Sequence, residues 1–257
     1  MVLAFDIGNT HMFLGGFSGR KILFTELIST NRTATDLEYA TLIRAALACH
    51  ELSENVIDGA IISSVVPTVT ATIKTTIERF FKITPIIVGP GVKSGLKIRI
   101  DNPAQLGSDL VVCAVAGIKE YPVPQISIYM GTATTISLID KNKTFLGTSI
   151  SAGMGVSSEA LSDRTSQLPS IAMETPKKVV GSNTVDSMKS GLVFYHASAI
   201  DGMIERIEEE YGETCTIVAT GRYAPRILPH CKHKIIHDPD LILKGLMEIY
   251  LKNKDDQ

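Results

Sequence analysis

Apolar positions fall into two rhythms along this chain, and the rhythms come round twice. It opens with "MVLAFDI", "HMFLGGF" and "KILFTELI", three apolar runs parted by short glycine-bearing turns. Runs of that length and spacing predict a three-stranded meander. "DLEYATLIRAALACHEL" then places apolar residues at helical intervals behind Thr35-Asp36, a capping pair. "GAIISSVV" reads as a short buried strand stopped at Pro67, "TVTATIKTTIERFFKI" as a helix and "TPIIVG" as a strand. From about residue 105 the order returns. The helix "LGSDLVVCAVAGIKEY" leads into the strands "ISIYMG", "TTISLID" and "KTFLGTSI". "MGVSSEALSDRTSQL" predicts a helix, residues 184–212 one long helix, "CTIVATG" a strand and "DLILKGLMEIYLKN" a closing helix. Alternating strands and helices predict an α/β layered protein. The repeated order predicts a duplication, with halves at residues 1–104 and 105–257 and a cleft between them. No low-complexity tract or linker separates the halves, so they are expected to pack closely.

Composition narrows the partners. A length of 257 residues allows a sizeable core, and a net charge of -2 offers nucleic acid or anionic membranes no electrostatic attraction. No apolar run approaches the roughly 18 residues of a membrane helix. "MVLAFDIGNT" lacks the basic start and long apolar core of a signal peptide, so the cytoplasm is the expected compartment. Cys49, Cys113, Cys215 and Cys231 show no C-x-x-C spacing and read as buried or incidental thiols. "HCKHKIIH" (230–237) reads as a solvated loop before a strand rather than a zinc site, and "KNKDDQ" as a polar tail.

The chemistry concentrates at two matching turns. "DIGNT" (6–10) and "GTATT" (131–135) each interrupt an apolar run with glycine and small polar residues. Such a tip exposes backbone N–H groups, and glycine lets phosphate oxygens approach them. Asp6 stands two residues before its glycine and could hold Mg²⁺, which takes one or two carboxylates plus phosphate oxygens. Thr132, Thr134 and Thr135 offer hydroxyls at the second turn. Asp109 lies at a helix start, where a carboxylate reads either as a cap or as a proton acceptor stabilised by the helix dipole.

Taken in order, "DIGNT", "DNPAQLGSD", "GTATT", "SEALSDRTSQLP" and "GSNTVDSMKSG" resemble the type III pantothenate kinases over nearly the whole chain. The resemblance implies a duplicated ribonuclease-H-like, actin-like ATPase fold and ATP-dependent phosphorylation of pantothenate, the first step towards coenzyme A. It further implies a homodimer that needs a divalent and a monovalent cation. Carried over by position, it makes Asp6, Ile7, Gly8, Asn9, Thr10, His11, Met12 and Phe13 the first phosphate-binding turn. Thr132 becomes a second ATP contact, and Val218–Gly221 part of the wall near the adenosine. Gly107, Ser108, Asp109 and Leu110 become the pantothenate segment, with Asp109 the catalytic proton acceptor, and Thr184 a further substrate contact.

The chain also departs from the family pattern. Tyr129 stands where the pattern has an acid for the monovalent cation, and Leu110 where it has an arginine. Thr148 and Ala152 replace a glycine and a proline, Arg222 a glycine, and His11 an asparagine. These changes leave two alternatives beside the pantothenate kinase. One is a catalytically weak homologue with a nucleotide-binding regulatory or structural role; the other is a sugar or acetate kinase relative.

Overall fold

The computed structural model describes residues 1–254, so the last three residues of the expected polar tail lie outside the described residues. The chain forms two compact units: residues 1–96, 102–116 and 240 onward, and residues 97–101 with 117–239. A single cut after residue 104 therefore does not describe the division. The segment after that cut and the closing helix belong with the first unit, because their apolar faces are buried there.

In the first unit β1 (Val2–Ile7), β2 (His11–Ser18) and β3 (Lys21–Ser29) form the expected antiparallel meander. α1 (Asp36–Cys49) follows, then β4 (Gly59–Ser64), α2 (Pro67–Thr76) and the short β5 (Ile86–Ile87). β4 pairs in parallel with β1, giving the order β3-β2-β1-β4-β5. Thr35 caps α1 in a reciprocal box: its hydroxyl accepts from Glu38 N, and its own N–H donates to the Glu38 carboxylate at 2.7 Å. Asp36 adds to the cap, its Oδ1 accepting from Leu37 N at 3.0 Å, and also pairs with Arg79 at 2.7 Å. Leu3, Phe5, Ile7, Met12 and Leu14 meet Tyr39, Ile43, Val69 and Ile73 in a core between one sheet face and the two helices. α3 (Ser108–Glu120) begins in this unit.

The second unit repeats the plan. β6 (Lys97–Ile98) is an edge strand, followed in the chain by β7 (Gln125–Met130), β8 (Ala133–Ile139) and β9 (Thr144–Ala152). α4 (Met154–Arg164) ends before the expected residue 168, where Thr165 turns extended. α5 (Thr184–Ser190) runs through a π-helical turn, Gly191–Tyr195, into α6 (His196–Tyr211), so the expected long helix is present with one bulge. Gly212, at φ 84°, stops it. β10 (Thr216–Thr220), α7 (Ala224–Ile227) and β11 (Ile236–His237) complete the sheet order β11-β10-β7-β8-β9-β6. Its five strands other than β6 match the first sheet in order and sense, which is the duplication expected from the sequence.

α8 (Leu241–Asn253) returns to the first unit. Leu243 lies against Gly15 and Tyr250 against Gly59, where added side chains would collide with them. Arg20 grips the buried Glu248 through two nitrogens, at 2.7 and 3.2 Å. Among the described residues no helix is long and apolar enough to cross a membrane.

Candidate active site

Alternation along β1 sends Leu3, Phe5 and Ile7 to the helix-covered core and Val2, Ala4 and Asp6 to the other face. Asp6 is only 3% exposed, and its partner across β4 is Ser63. Ser63 Oγ donates to Asp6 Oδ1 at 2.9 Å and lies 3.0 Å from Ser108 Oγ. Ser108 opens α3, and its hydroxyl accepts from Ser64 N at 2.9 Å. Three elements are thereby tied into one polar cluster. Asp109 follows on α3, half-buried, with Oδ1 accepting from Leu110 N at 3.0 Å. Gly107 is glycine for space, since a side chain there would run into the Asp109 carboxylate.

Burial dominates the electrostatics of the two carboxylates. Burial pushes Asp6 from 3.8 up to about 7; the negative charge of Asp109 pushes the same way, and the Ser63 hydrogen bond opposes both. Burial also raises Asp109, against the pull of the Leu110 N–H and its own. Among the described residues neither carboxylate pairs with a lysine or arginine.

Beside the cluster, the first turn is closed by Gly8 N donating to His11 O at 3.0 Å and braced by Thr30 Oγ1 donating to Gly8 O at 2.7 Å. Asn9 and Thr10 stand exposed at its tip, with Arg32 donating to Asn9 Oδ1 at 2.9 Å. Phe13 pairs across the strands with Asp6, so it and His11 share the Asp6 face. Ile7 and Met12 bury their side chains in the core, which leaves them only backbone to offer a ligand.

In the second unit Tyr129 lies between Thr135 of β8 and Thr220 of β10, as Asp6 lies between Phe13 and Ser63. Thr132 is partly exposed at the turn, with its carbonyl accepting from Gly153 N at 3.0 Å. Thr134 and Thr135 are buried, so the expected row of three hydroxyls at the tip reduces to one. Gly221, at φ 105°, presses on the Met130 backbone, where a Cβ has no room. Thr184 is the first residue of α5, behind its cap Asn183, on the wall of a pocket of about 590 Å³.

The departures prove mild for the backbone. Thr148 and Ala152 sit in β9 opposite Ser137 and Ala133, and neither has a positive φ. Leu110 is buried, and the Arg222 guanidinium lies 5.0 Å over the Tyr223 ring. In "HCKHKIIH", His233 pairs with Asp201 at 2.9 Å, and no group of three metal-ligating side chains occurs among the described residues. Ser63 and Ser64 were hidden inside a run read as plain strand. The signal was positional: they end a strand parallel to β1, where ligands gather in open α/β sheets.

Fold and site together define a duplicated α/β protein of the actin-like fold, with a buried carboxylate–hydroxyl cluster in its first unit. An activator of 2-hydroxyisocaproyl-CoA dehydratase from Clostridium difficile, solved with ADPNP, shares this fold at TM-score 0.56 and 14% identity, over 99% of this chain and 95% of that one. A conserved Campylobacter jejuni protein assigned to the Baf family of transcriptional activators aligns at TM-score 0.62 and 18% identity, covering 98% and 99%. The chain belongs to the type III pantothenate kinase family, whose model matches residues 2–206. A type III pantothenate kinase of Exiguobacterium sp. is 40% identical over 254 residues, 99% of this chain and all of the relative.

Proposed function

We propose that the chain transfers the terminal phosphoryl group of ATP to the primary hydroxyl of pantothenate, giving 4'-phosphopantothenate, the first step of coenzyme A synthesis in the cytoplasm. The observation that carries this reading is the Asp6–Ser63–Ser108 cluster with Asp109 beside it, on a chain of this family. Asp109 accepts the hydroxyl proton as the oxygen bonds to the γ-phosphorus and ADP departs with the electrons of the broken P–O bond. Its raised proton affinity makes it a better acceptor than an exposed aspartate. Gly107, Ser108 and Leu110 shape the acceptor's seat and the first turn holds phosphate; the family resemblance gives Thr132 an ATP contact and Thr184 a substrate contact.

A buried carboxylate and a half-buried one beside it, neither paired with a lysine or arginine among the described residues, suit Mg²⁺, completed by phosphate oxygens. When bound, that ion neutralises charge on the transferring phosphoryl group. Asp6 is the residue that would hold it, kept in place by Ser63. Homodimerisation fits the exposed apolar side chains of the second unit, among them Ile150, Val180 and Tyr195, at 67%, 81% and 72% exposure. Measuring ADP formation from Mg²⁺-ATP with and without pantothenate tests the proposal. ADP release that ignores pantothenate rejects it. A second reading, a weakened homologue with a nucleotide-binding role, rests on Tyr129 in the place of an acid.

A further inference from the structure

The duplication makes a comparison possible within the one chain. Asp6 and Tyr129 hold the same place in their sheets, each on the first strand of a meander, two residues before the turn glycine, between an antiparallel and a parallel neighbour. In the first unit the place holds a carboxylate; in the second it holds a phenol. Family resemblance puts a monovalent cation at that second place, and the residues present do not fit one. A hard monovalent ion gives up hydration only for several oxygens with net negative charge. A phenol is neutral near pH 7 and brings one oxygen.

Three further observations point the same way. The Tyr129 ring lies across Gly131, so close that a side chain on that glycine would meet Cε1, Cζ and Oη. The space beside the turn is therefore filled by the ring. Thr135 Oγ1, opposite Tyr129, is buried without a hydrogen-bond partner, a single neutral oxygen with no acid beside it on the strand. The acid that follows β8, Asp140, is at the far end of that strand, accepting from Asn142 N and Thr144 N at 2.8 Å each.

We infer that this chain has dispensed with the monovalent cation: Tyr129 closes the second turn from within, and nucleotide handling there is indifferent to K⁺ and NH₄⁺. The inference rests on the kinase reading only for its activity arm. Initial rates and Mg²⁺-ATP affinity by calorimetry are measured in NaCl and KCl at constant ionic strength, for the wild type and Tyr129→Asp. Thallium(I), a potassium surrogate visible by anomalous scattering, is soaked into crystals of both. The wild type should show equal rates, equal affinity and no thallium beside residues 129–132. Tyr129→Asp should acquire thallium there and a K⁺ dependence on the order of tenfold. Stimulation or tighter nucleotide binding by K⁺ in the wild type, or thallium at its second turn, overturns the inference. A wild type that forms no ADP yet binds nucleotide equally in both salts sinks the kinase reading and leaves this one standing.

Discussion

Asp6 and Asp109 answer different tests, because the one is proposed to hold charge and the other to take a proton. Asp109→Asn keeps the shape of the side chain and loses the basic oxygen. Its turnover should fall on the order of 10²–10⁴-fold, with nucleotide affinity by calorimetry nearly unchanged. Wild-type turnover would remove Asp109 from the reaction. Asp6 carries a pH signature. Its folded value of about 7 lies above the ordinary 3.8, so the native chain keeps a proton that the unfolded chain has released. Stability without nucleotide should therefore fall as pH rises between these values, then level off. Asp6→Asn, which can still accept from Ser63, should melt higher than the wild type at pH 8, with the gap closing towards pH 4. Added Mg²⁺-ATP should raise the melting point of the wild type more than that of the variant. A lower melting point for the variant at every pH would mean that Asp6 stabilises the fold rather than the ligand. Asp6 and Asp109 were legible in the sequence because each sits in a short motif of special composition. Ser63 was not, since only the pairing of β4 with β1 gives that hydroxyl a carboxylate to meet.

At the scale of elements, one turn depends on a glycine that no other residue can replace without strain. Gly221 ends β10 in a left-handed conformation while touching the backbone of Met130, so it serves both a positive φ and a close approach. Gly221→Ala should cost on the order of 1–3 kcal/mol from backbone strain alone. Urea unfolding followed by circular dichroism measures that cost, and an unchanged midpoint would deny the constraint. Thr148 and Ala152 teach the opposite lesson. Both replace residues that the family pattern makes special, yet each occupies ordinary paired strand. A motif shows which residue type is usual at a position; only φ and local space show whether the backbone needs it. The meander and most helices were legible from periodicity. The π-helical turn at Gly191–Tyr195 was not, because one extra residue only steps the apolar stripe round the helix, and the stretches on either side still read as helix.

At the scale of the molecule, the sequence displayed two repeats but not which repeat owns the last helix. Order along the chain suggested the second; burial assigns α8 to the first. Leu241, Leu246 and Ile249 are fully buried, and Leu243 and Tyr250 fill space left by Gly15 and Gly59 on the sheet face that carries Asp6. Two glycines on β2 and β4, the strands that flank β1, thus leave room for a helix nearly the whole chain away. The consequence is that the site's scaffold depends on the chain's end. Leu246→Ala removes a fully buried side chain from that contact and should cost about 2–5 kcal/mol, the range for such cavities. The chain has no tryptophan, so far-ultraviolet circular dichroism in urea is the suitable probe, paired with calorimetry of Mg²⁺-ATP binding. The midpoint should drop, and nucleotide binding should be lost at a lower urea concentration than in the wild type. A variant that loses stability while nucleotide binding survives to the wild-type urea concentration would show that α8 does not support the Asp6 face, and the assignment of the helix to the first unit would lose its functional meaning.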